Sequence, residues 1–392
     1  MDSYTNLVFL NSHPIQYFVP LYQKIEAEKA FDLTVLYSSD ETINGYVDKQ
    51  FSQSVTWDIP LLEGYKSIFL KNFSLKPSLY NGFWGLINWG IVDFLRKAPK
   101  SIVVVHGWAY FTNILCIITA KLYGHKVCLR AETPLNQELK KNKTVTGFKN
   151  LMLRFLFFFI DYALYIGQQN ELFYRKLNIN KSKLLFTPYC VDNDRFSTIA
   201  KHTSQDSARS LLNLPSNKKI ILFSGKYILK KNPLHLLEAL NLIRELNVCV
   251  VFVGEGELRD KMEDYSIKHQ LDSKVVLTGF VNQSLIPYYY AAADVFVMPS
   301  GLGETWGLSV NEAVNFGIPV IVSDTCGCAY DLVKKNGIVY KTGDIQGLAD
   351  AILQLLSISE HQKEVIKRES REIMQVFSYE TIIHQLKKIE LN

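Results

Sequence analysis

The residues with the clearest chemical potential are two glutamates, Glu304 and Glu312, which lie eight positions apart around a glycine-rich turn. An apolar run ends at Pro299, and a helical pattern has its first turn at Gly307 to Ser309. The first N–H groups of a helix lack an intrahelical acceptor and carry partial positive charge, so this turn is a ready site for a pyrophosphate. The two carboxylates would bracket the phosphates, one within reach of sugar hydroxyls and the other within reach of a ribose.

A second loop supplies positive charge. Gly225 and Lys226 follow the apolar run 219–223, and Lys231 comes five positions after Lys226. Two cations at a strand end would neutralise the charge that develops on a diphosphate leaving group. An exposed basic turn is the alternative interpretation of the same residues.

Together the two loops resemble the signature of the family-four (group 1) retaining glycosyltransferases with the GT-B fold. In that family the first glutamate, here Glu304, contacts the donor hexose, and the second, here Glu312, binds the ribose. Lys226 and Lys231 stand in the arginine and lysine positions of the family's phosphate loop. The replacement of arginine by Lys226 is a departure, because it exchanges a bidentate fork for a point charge.

The resemblance continues along the second half of the chain. The strand ends around Gly254 and around Phe280 and Val281 are similar to those that frame the nucleobase in the family, and residues 187–196 resemble its hinge. The resemblance implies that the donor is bound by Gly225, Gly254, Phe280, Val281, Gly307, Leu308, Ser309 and Glu312.

Both loops require elements that hold them in place, and the apolar pattern predicts those elements. Strands alternate with helices: the predicted strands end at Leu10, at 37, 105, 129, 166 and 187, and then at 223, 253, 278, 298 and 322. Such alternation is typical of doubly wound parallel sheets, which bind ligands at the carboxyl ends of their strands.

A polar stretch at 203–218 predicts a domain boundary, and 392 residues suffice for two α/β domains. We expect an acceptor-binding Rossmann-like domain at 1–200 and a nucleotide-sugar-binding one at 201–375. The GT-B resemblance implies that they face each other across a cleft, with a C-terminal helix at 376–392 that packs back on the N-terminal domain.

Five further polar residues lie at or just after the ends of predicted strands in the first half. His13 and Gln16 replace the glycine pair that many relatives carry after the first strand, and we expect them on the acceptor side. His106 ends a valine-rich strand and is a candidate catalytic donor to the sugar or acceptor, while Arg130 and Glu132 end the next strand. Structural hydrogen bonding is the alternative role for His106, Arg130 and Glu132.

Composition limits the class of protein. Residues 1–200 hold 22 Lys and Arg against 16 Asp and Glu within a net charge of +5, which permits an anionic partner; we expect no nucleic acid. The six cysteines are scattered, and the chain start lacks a leader pattern, so a cytoplasmic protein is expected. We interpret Cys326 and Cys328 as part of a turn rather than as metal ligands.

The segment 140–160 combines lysines and an arginine with the apolar run 151–160, which is shorter than the about 20 residues that span a bilayer. Two interpretations remain open: a buried core helix, or an interfacial helix that holds the protein on an anionic membrane at the inner face.

These observations lead to the hypothesis of a retaining hexosyltransferase that moves a hexose from a nucleotide-diphosphate sugar to a cell-surface polysaccharide, lipopolysaccharide or lipid-linked acceptor. Family frequency favours UDP as the donor nucleotide, with GDP as the alternative. The resemblance implies a front-face path without a cofactor, and we expect metal independence because no metal-clasping aspartate pair accompanies the donor motif. Two alternatives are a GT-B sugar-nucleotide epimerase and a catalytically silent partner subunit that binds nucleotide sugar.

Overall fold

The computed structural model describes residues 4–43, 46–48, 53–55 and 57–391. The chain divides into two compact units, one of residues 1–46, 59–189 and 379–392 and one of residues 47–58 and 190–378. The chain thus passes between units at Tyr189 and Cys190, whereas polar composition placed the expected boundary at residue 200.

The first half forms a parallel sheet of seven strands in the order β5-β2-β1-β6-β7-β8-β9. The strands of this sheet are β1 (Asn6–Asn11), β2 (Asp32–Tyr37), β5 (Ser67–Phe69), β6 (Ser101–His106), β7 (Lys126–Arg130), β8 (Tyr162–Tyr165) and β9 (Leu184–Phe186). Two short strands between β2 and β5 in the chain, β3 (Tyr46–Asp48) and β4 (Gln53–Val55), form a separate two-stranded sheet. The helices are α1 (Val19–Ala27), α2 (Gly90–Lys97), α3 (Phe111–Leu122), α4 (Leu135–Glu138), α5 (Lys143–Leu156) and α6 (Gln168–Lys176).

The second unit forms a parallel sheet of six strands in the order β12-β11-β10-β13-β14-β15. The strands are β10 (Lys219–Ser224), β11 (Val248–Val253), β12 (Val275–Leu277), β13 (Val295–Met298), β14 (Val320–Ser323) and β15 (Gly337–Tyr340). The helices from this point of the chain are α7 (Asn193–His202), α8 (Gln205–Leu211), α9 (Pro233–Leu242), α10 (Arg259–Lys268), α11 (Ile286–Ala292), α12 (Leu308–Asn315), α13 (Ala329–Leu332), α14 (Ile345–Leu356), α15 (Glu360–Val376) and α16 (Tyr379–Leu386).

Helices on both faces bury the central strands of each sheet. Every residue of β11 is buried, and so are Ile102 to Val105 of β6. Near-continuous apolar runs of this kind are typical of parallel strands that are covered on both sides. The predicted α/β class with two Rossmann-like domains is therefore confirmed.

The strand order reverses beside the first strand of each sheet, between β1 and β6 and between β10 and β13. At such a switch point the loops that follow the two strands diverge, which leaves a crevice where ligands bind. The two loops predicted to bind phosphate follow β10 and β13, and the His13 and His106 segments follow β1 and β6.

The last helix, α16, belongs to the first unit although it follows the second in sequence. The Tyr379 hydroxyl donates to the Tyr17 carbonyl at 3.0 Å, and Lys24 of α1 forms an ion pair with Glu380 at 2.5 Å. Leu386 is completely buried. The burial of its apolar face explains why this short helix is stable.

Leu386→Ala should lower the free energy of unfolding of the first unit by about 2–5 kcal/mol, because it removes a fully buried side chain. Lys387→Ala, a change at the exposed neighbour, should cost no more than about 0.5 kcal/mol. Hydrogen exchange at the amides of α1 and β9 measures both. Equal exchange in the two variants would contradict a stabilising role of α16.

Candidate functional site

The two predicted phosphate loops lie side by side at the switch point of the second sheet. The Gly301 N–H donates to the Lys230 carbonyl at 2.7 Å, and the Asn232 side-chain amide donates to the Pro299 carbonyl at 3.1 Å. Asn232 adopts the left-handed conformation just before α9. These hydrogen bonds fix the spacing between the loop after β10 and the loop after β13.

Lys231 and Glu304, predicted from separate motifs, form an ion pair across these loops. Their side chains are only 15% and 10% exposed, so the pair is partly desolvated and its attraction is weakly screened. Lys226 is half-buried at the start of the same loop as Lys231. The structure thus brings a cation and a carboxylate together at the switch point of the second sheet.

Helix α12 begins directly after Gly307, whose φ of 107° favours glycine. A Cβ at Gly307 would stand 2.8 Å from the Cys326 sulfur and 3.4 Å from the Cys328 sulfur, so two buried thiols also exclude larger residues there. Leu308 and Ser309 form the first helical turn, whose N–H groups lack intrahelical acceptors. The predicted anion site therefore has the backbone geometry that it requires.

Glu312 lies deeper than its predicted role suggests. It is 2% exposed, and it accepts a hydrogen bond of 2.6 Å from the hydroxyl of the fully buried Tyr290. This hydroxyl orients the carboxylate from below α12. The sequence motif gave no indication of Tyr290, because it lies on α11, 22 residues before Glu312.

The glycines at the ends of β10 and β11 permit a close backbone approach. A Cβ on Gly254 would lie 2.0 Å from the Gly225 carbonyl oxygen. The Gly225 N–H donates to Val253, and the Gly254 N–H donates to Gly279 at 3.0 Å. The backbones at the ends of β10 and β11 therefore pack directly against each other, and no side chain separates them.

Phe280 and Val281, predicted to frame the nucleobase, are both half-buried after β12. The ring of Trp57 meets the ring of Phe280 nearly edge-on, with 6.0 Å between centroids. The next residue, Asp58, contacts the same region, and its carboxylate accepts a hydrogen bond from the Ser284 N–H at 3.1 Å. No sequence pattern pointed to Trp57, because it lies more than 200 residues from the strand end that it covers.

In the first unit, His13 and Gln16 lie on the turn after β1, and both are half-buried. The His13 Nδ1 and the Ser12 hydroxyl are 2.9 Å apart. Burial lowers the pKa of His13 to about 4, so its imidazole is neutral at physiological pH. A neutral ring has one donor and one acceptor nitrogen, and Nδ1 is already engaged by Ser12.

His106 ends β6, and its ring meets the edge of Phe18 at 4.5 Å between centroids. Burial first, and then the positive charge of Arg130, hold the pKa of His106 well below its ordinary value. Its Nε2 is buried and has no hydrogen-bond partner within the described part of the chain. A buried polar atom of this kind suits a ligand hydroxyl as its partner.

Arg130 makes structural hydrogen bonds to backbone carbonyls, the alternative role that the sequence left open. Its guanidinium donates to the carbonyls of Thr187 at 2.9 Å and Pro188 at 3.2 Å and lies over the ring of Tyr189. Burial and the neighbouring Glu132 raise the pKa of Tyr189 well above its ordinary value. Arg130 therefore anchors the segment 187–189, and Glu132 lies beside the same segment.

Helix α5 and the turn after it carry an exposed apolar stripe, whose members are 59% to 85% exposed. The stripe consists of Phe148, Leu151, Met152, Phe155 and Phe158. The opposite face buries Leu153, Leu156 and Phe157. The helix thus lies at the surface and has two apolar faces. One face is buried, as the core-helix interpretation expects, but the stripe is exposed to solvent, which that interpretation does not explain.

Membrane-spanning helices and clustered metal ligands are both absent from the described residues. Within residues 4–43, 46–48, 53–55 and 57–391, no helix is long and apolar enough to cross a membrane. Nor does this part of the chain contain a group of three or more His, Cys, Asp or Glu that could hold a metal ion.

Two parallel sheets, each with a switch point at its first strand, define a two-domain α/β protein of the GT-B type. Residues 204–372 match the family glycosyl transferases group 1. This match covers less than half of the chain, and it confirms the resemblance seen in the Glu304 to Glu312 motif.

Individual relatives agree with this assignment. The chain is 29% identical over 177 residues to an uncharacterized glycosyltransferase, MJ1607, of Methanocaldococcus jannaschii, with 44% of this chain and 45% of the relative covered. It is 26% identical over 175 residues to the lipopolysaccharide core biosynthesis glycosyltransferase LpsE of Rhizobium meliloti, with 44% and 50% covered. The chain thus spans about half the length of these curated relatives.

The fold has solved counterparts along the whole chain. The crystal structure of Anabaena Alr3699/HepE in complex with UDP superposes with a TM-score of 0.72 at 16% identity, covering 98% of this chain and 99% of that one. This likeness confirms the GT-B fold.

Gly307→Ala should weaken binding of a nucleoside diphosphate at least tenfold, because both the left-handed backbone and the Cys326 sulfur oppose a Cβ and displace the first turn of α12. Gly147→Ala is the matched control, since a Cβ there meets nothing within 4 Å. Calorimetry with UDP compares the two variants. Unchanged affinity in Gly307→Ala would contradict the anion site.

Proposed function

We propose that the protein is a retaining hexosyltransferase that uses a nucleotide-diphosphate sugar, with UDP as the favoured nucleotide. The observation that carries this proposal is the ion pair of Lys231 and Glu304 beside the start of α12, at the switch point of a group 1 domain. A donor has a diphosphate and a hydroxylated hexose, and this site offers groups for both.

The donor diphosphate would lie against the N–H groups of Leu308 and Ser309 and accept hydrogen bonds from Lys226 and Lys231. These groups are fixed before the reaction, so they stabilise the negative charge that develops as the sugar departs. Glu304 would accept hydrogen bonds from hexose hydroxyls and hold the anomeric carbon in position. Its pairing with Lys231 holds the carboxylate in position until the donor arrives.

Retention follows from a front-face path, which the family resemblance implies. The bond between the anomeric carbon and the phosphate oxygen breaks, and the acceptor oxygen bonds to the same face of that carbon. The acceptor proton passes to the departing phosphate oxygen. His106, kept neutral by burial, would donate a hydrogen bond to a sugar or acceptor hydroxyl during this step.

Several relatives favour UDP and an envelope glycan. HepE of Anabaena has been crystallised with UDP and with UDP-glucose. LpsE acts in lipopolysaccharide core biosynthesis by its name, and TuaC of Bacillus subtilis is described as a putative teichuronic acid biosynthesis glycosyltransferase. We therefore propose a polysaccharide, lipopolysaccharide or lipid-linked acceptor.

Two lysines and backbone amides can meet the diphosphate charge, so we propose that transfer needs no divalent ion. An epimerase remains the enzymatic alternative and would interconvert the nucleotide sugar itself. A silent partner subunit is the non-enzymatic alternative, but such a protein would not need Lys231 and Glu304 paired in a partly desolvated site.

The roles of the two glutamates can be separated by substitution. Glu312→Ala should weaken UDP binding by about 1.5–3 kcal/mol, the range for hydrogen bonds to charged groups, because it removes the proposed ribose contact. Glu304→Ala should leave UDP affinity nearly unchanged while turnover of the intact donor falls at least tenfold, a barrier rise above about 1.4 kcal/mol. Calorimetry with UDP and initial rates, both in excess EDTA, give the two readouts.

Tyr290→Phe is the matched control for Glu312, because it removes only the hydroxyl beneath the carboxylate. It should weaken UDP less than Glu312→Ala does. Loss of UDP binding in Glu304→Ala, or retention of full affinity in Glu312→Ala, would reject the assignment. Melting temperatures identify a variant that has simply unfolded.

We further propose that the apolar stripe rests in the surface of an anionic membrane at the inner face of the cell envelope. Exposed Lys140 and Arg154 flank it and suit anionic headgroups, whereas Lys141 and Lys149 are already paired with Glu138. Each apolar side chain contributes about 1.5–3 kcal/mol on full burial, against about 1 kcal/mol for a basic residue near the surface. The stripe therefore supplies most of the attraction.

Phe148→Ser combined with Phe155→Ser should reduce sedimentation with phosphatidylserine-containing vesicles at least tenfold, because two apolar side chains no longer insert. Ile267→Ser on α10 is the matched control, since Ile267 is 68% exposed and Phe148 is 69% exposed. Arg154→Gln should have a smaller effect that vanishes in high salt. Equal sedimentation of the double variant and the unchanged protein would overturn the proposal.

A further inference from the structure

Trp57 and Asp58 come from the first half of the sequence, but they belong to the second unit. They follow β4 in the chain and contact the loop at 278–285, which connects β12 to α11. This loop starts at the strand end that is predicted to frame the nucleobase. The family resemblance places every donor-binding residue at or after Gly225, so it gives these two residues no role.

The loop after β12 is anchored by α7. The Arg195 guanidinium donates to the Gln283 carbonyl at 2.7 Å and to the side-chain oxygen of the same residue at 2.9 Å. Gln283 is buried, and its N–H donates to the Asn282 side-chain oxygen at 2.9 Å. Hydrogen bonds from a charged donor are stronger than those between neutral groups. The loop that carries Phe280 therefore has a defined conformation without a ligand.

Asp58 holds Trp57 against this loop. The Asp58 N–H donates to the Asn282 side-chain oxygen at 3.3 Å. Its carboxylate accepts from the Ser284 N–H at 3.1 Å and also from the Ser284 hydroxyl. The carboxylate is a charged acceptor, so these contacts are stronger than neutral hydrogen bonds. The position of Trp57 is therefore set by the hydrogen bonds of its neighbour as well as by its own packing.

Trp57 and Phe280 form an aromatic corner. Their ring centroids are 6.0 Å apart, and the ring planes are inclined by 60°. Both residues are half-buried, so part of each is exposed. Inclined aromatic rings at this separation attract each other through their quadrupoles. A planar heterocycle that enters the corner can stack on one ring and meet the other at its edge.

The sheet order indicates which part of a nucleotide reaches this corner. Strand β11 lies between β10 and β12, and the Gly254 N–H after β11 donates to the Gly279 carbonyl after β12 at 3.0 Å. Neighbouring strands lie about 5 Å apart, so the end of β12 is roughly 10 Å from the end of β10. A nucleoside diphosphate with its phosphates at the loop after β10 can span this distance through its ribose. Its base would then lie at the aromatic corner.

We propose that Trp57 is a base-binding residue of the donor site and that Asp58 is its positioning residue, an inference that rests on the nucleotide-sugar function proposed above. The base would stack on one ring of the corner and contact the edge of the other. Aromatic stacking accepts any base, because every base has a π-face. The first half of the sequence would thus contribute to donor affinity through two residues that no donor motif contains.

Calorimetry on the full chain with UDP, GDP and inorganic pyrophosphate tests this role. Trp57→Ala should weaken the nucleotide that the unchanged protein binds about tenfold, as expected for loss of one aromatic contact with a base. Pyrophosphate affinity should not change, because pyrophosphate has no base. Trp84→Ala is the matched control, since Trp84 is 62% exposed and belongs to the first unit. It should bind all three ligands as the unchanged protein does.

Trp57→Phe keeps the test informative if Trp57→Ala disturbs the loop. It retains an aromatic face, so nucleotide affinity should stay within about threefold of the unchanged protein. A stacked base quenches indole fluorescence, so the part of the nucleotide-induced quenching that comes from Trp57 should be lost in this variant. Equal quenching in Trp57→Phe and the unchanged protein would contradict stacking on Trp57.

The positioning role of Asp58 has its own readout. Asp58→Ala should weaken the nucleotide but not pyrophosphate, and adding it to Trp57→Ala should cause no further loss, because it acts through the ring that it holds. Additive losses, unchanged nucleotide affinity in Trp57→Ala, or an equal loss of pyrophosphate would overturn the inference. Failure of the unchanged protein to bind either nucleotide would instead contradict the donor function proposed above.

Discussion

The arrangement of the loops after β10 and β13 depends on one ion pair, Lys231 with Glu304, which is partly shielded from water. Glu304 and Lys231 come from loops more than 70 residues apart, and each is at most 15% exposed. A carboxylate or ammonium removed from water costs several kcal/mol unless it is paired, so neither loop is stable in this conformation without the other. The hydrogen bond from Gly301 to Lys230 and the Asn232 amide hold the loops close enough for the pair to form.

Close backbone packing around this pair leaves little freedom for the remaining side chains. Gly225 and Gly254 bring the ends of β10 and β11 into contact, and Gly307 turns the chain into α12 against two buried thiols. A Cβ at Gly254 would meet the Gly225 carbonyl and a Cβ at Gly307 would meet the Cys326 sulfur, whereas the nearest atoms to a Cβ at Gly225 are 3.7 Å away. Gly254 and Gly307 are therefore required by packing, whatever ligand approaches them.

The strand ends of the first unit carry neutral histidines, in contrast to the charged pair of the second unit. Its strand ends carry His13 and His106, and burial lowers the pKa of each imidazole so that both rings are neutral near pH 7. Uncharged donors and acceptors suit hydroxyl groups, whereas the loops after β10 and β13 in the second unit carry the charged side chains of Lys231 and Glu304. Arg130 is the charged residue nearby, and its guanidinium donates hydrogen bonds to the carbonyls of Thr187 and Pro188.

The sequence by itself determined the parallel α/β class and the positions of the two loops predicted to bind phosphate, because strand periodicity, glycines and paired acidic residues are local features. That both loops lie at one edge of a sheet follows from the parallel strands, but the ion pair of Lys231 with Glu304 was decided by the tertiary structure. Tertiary structure alone decided the partners that come from distant segments: Tyr290 beneath Glu312, Trp57 against Phe280, and α16 in the first unit. It also decided that the stripe on α5 faces outward, since the periodicity of an apolar helix does not reveal which of its faces the rest of the protein covers.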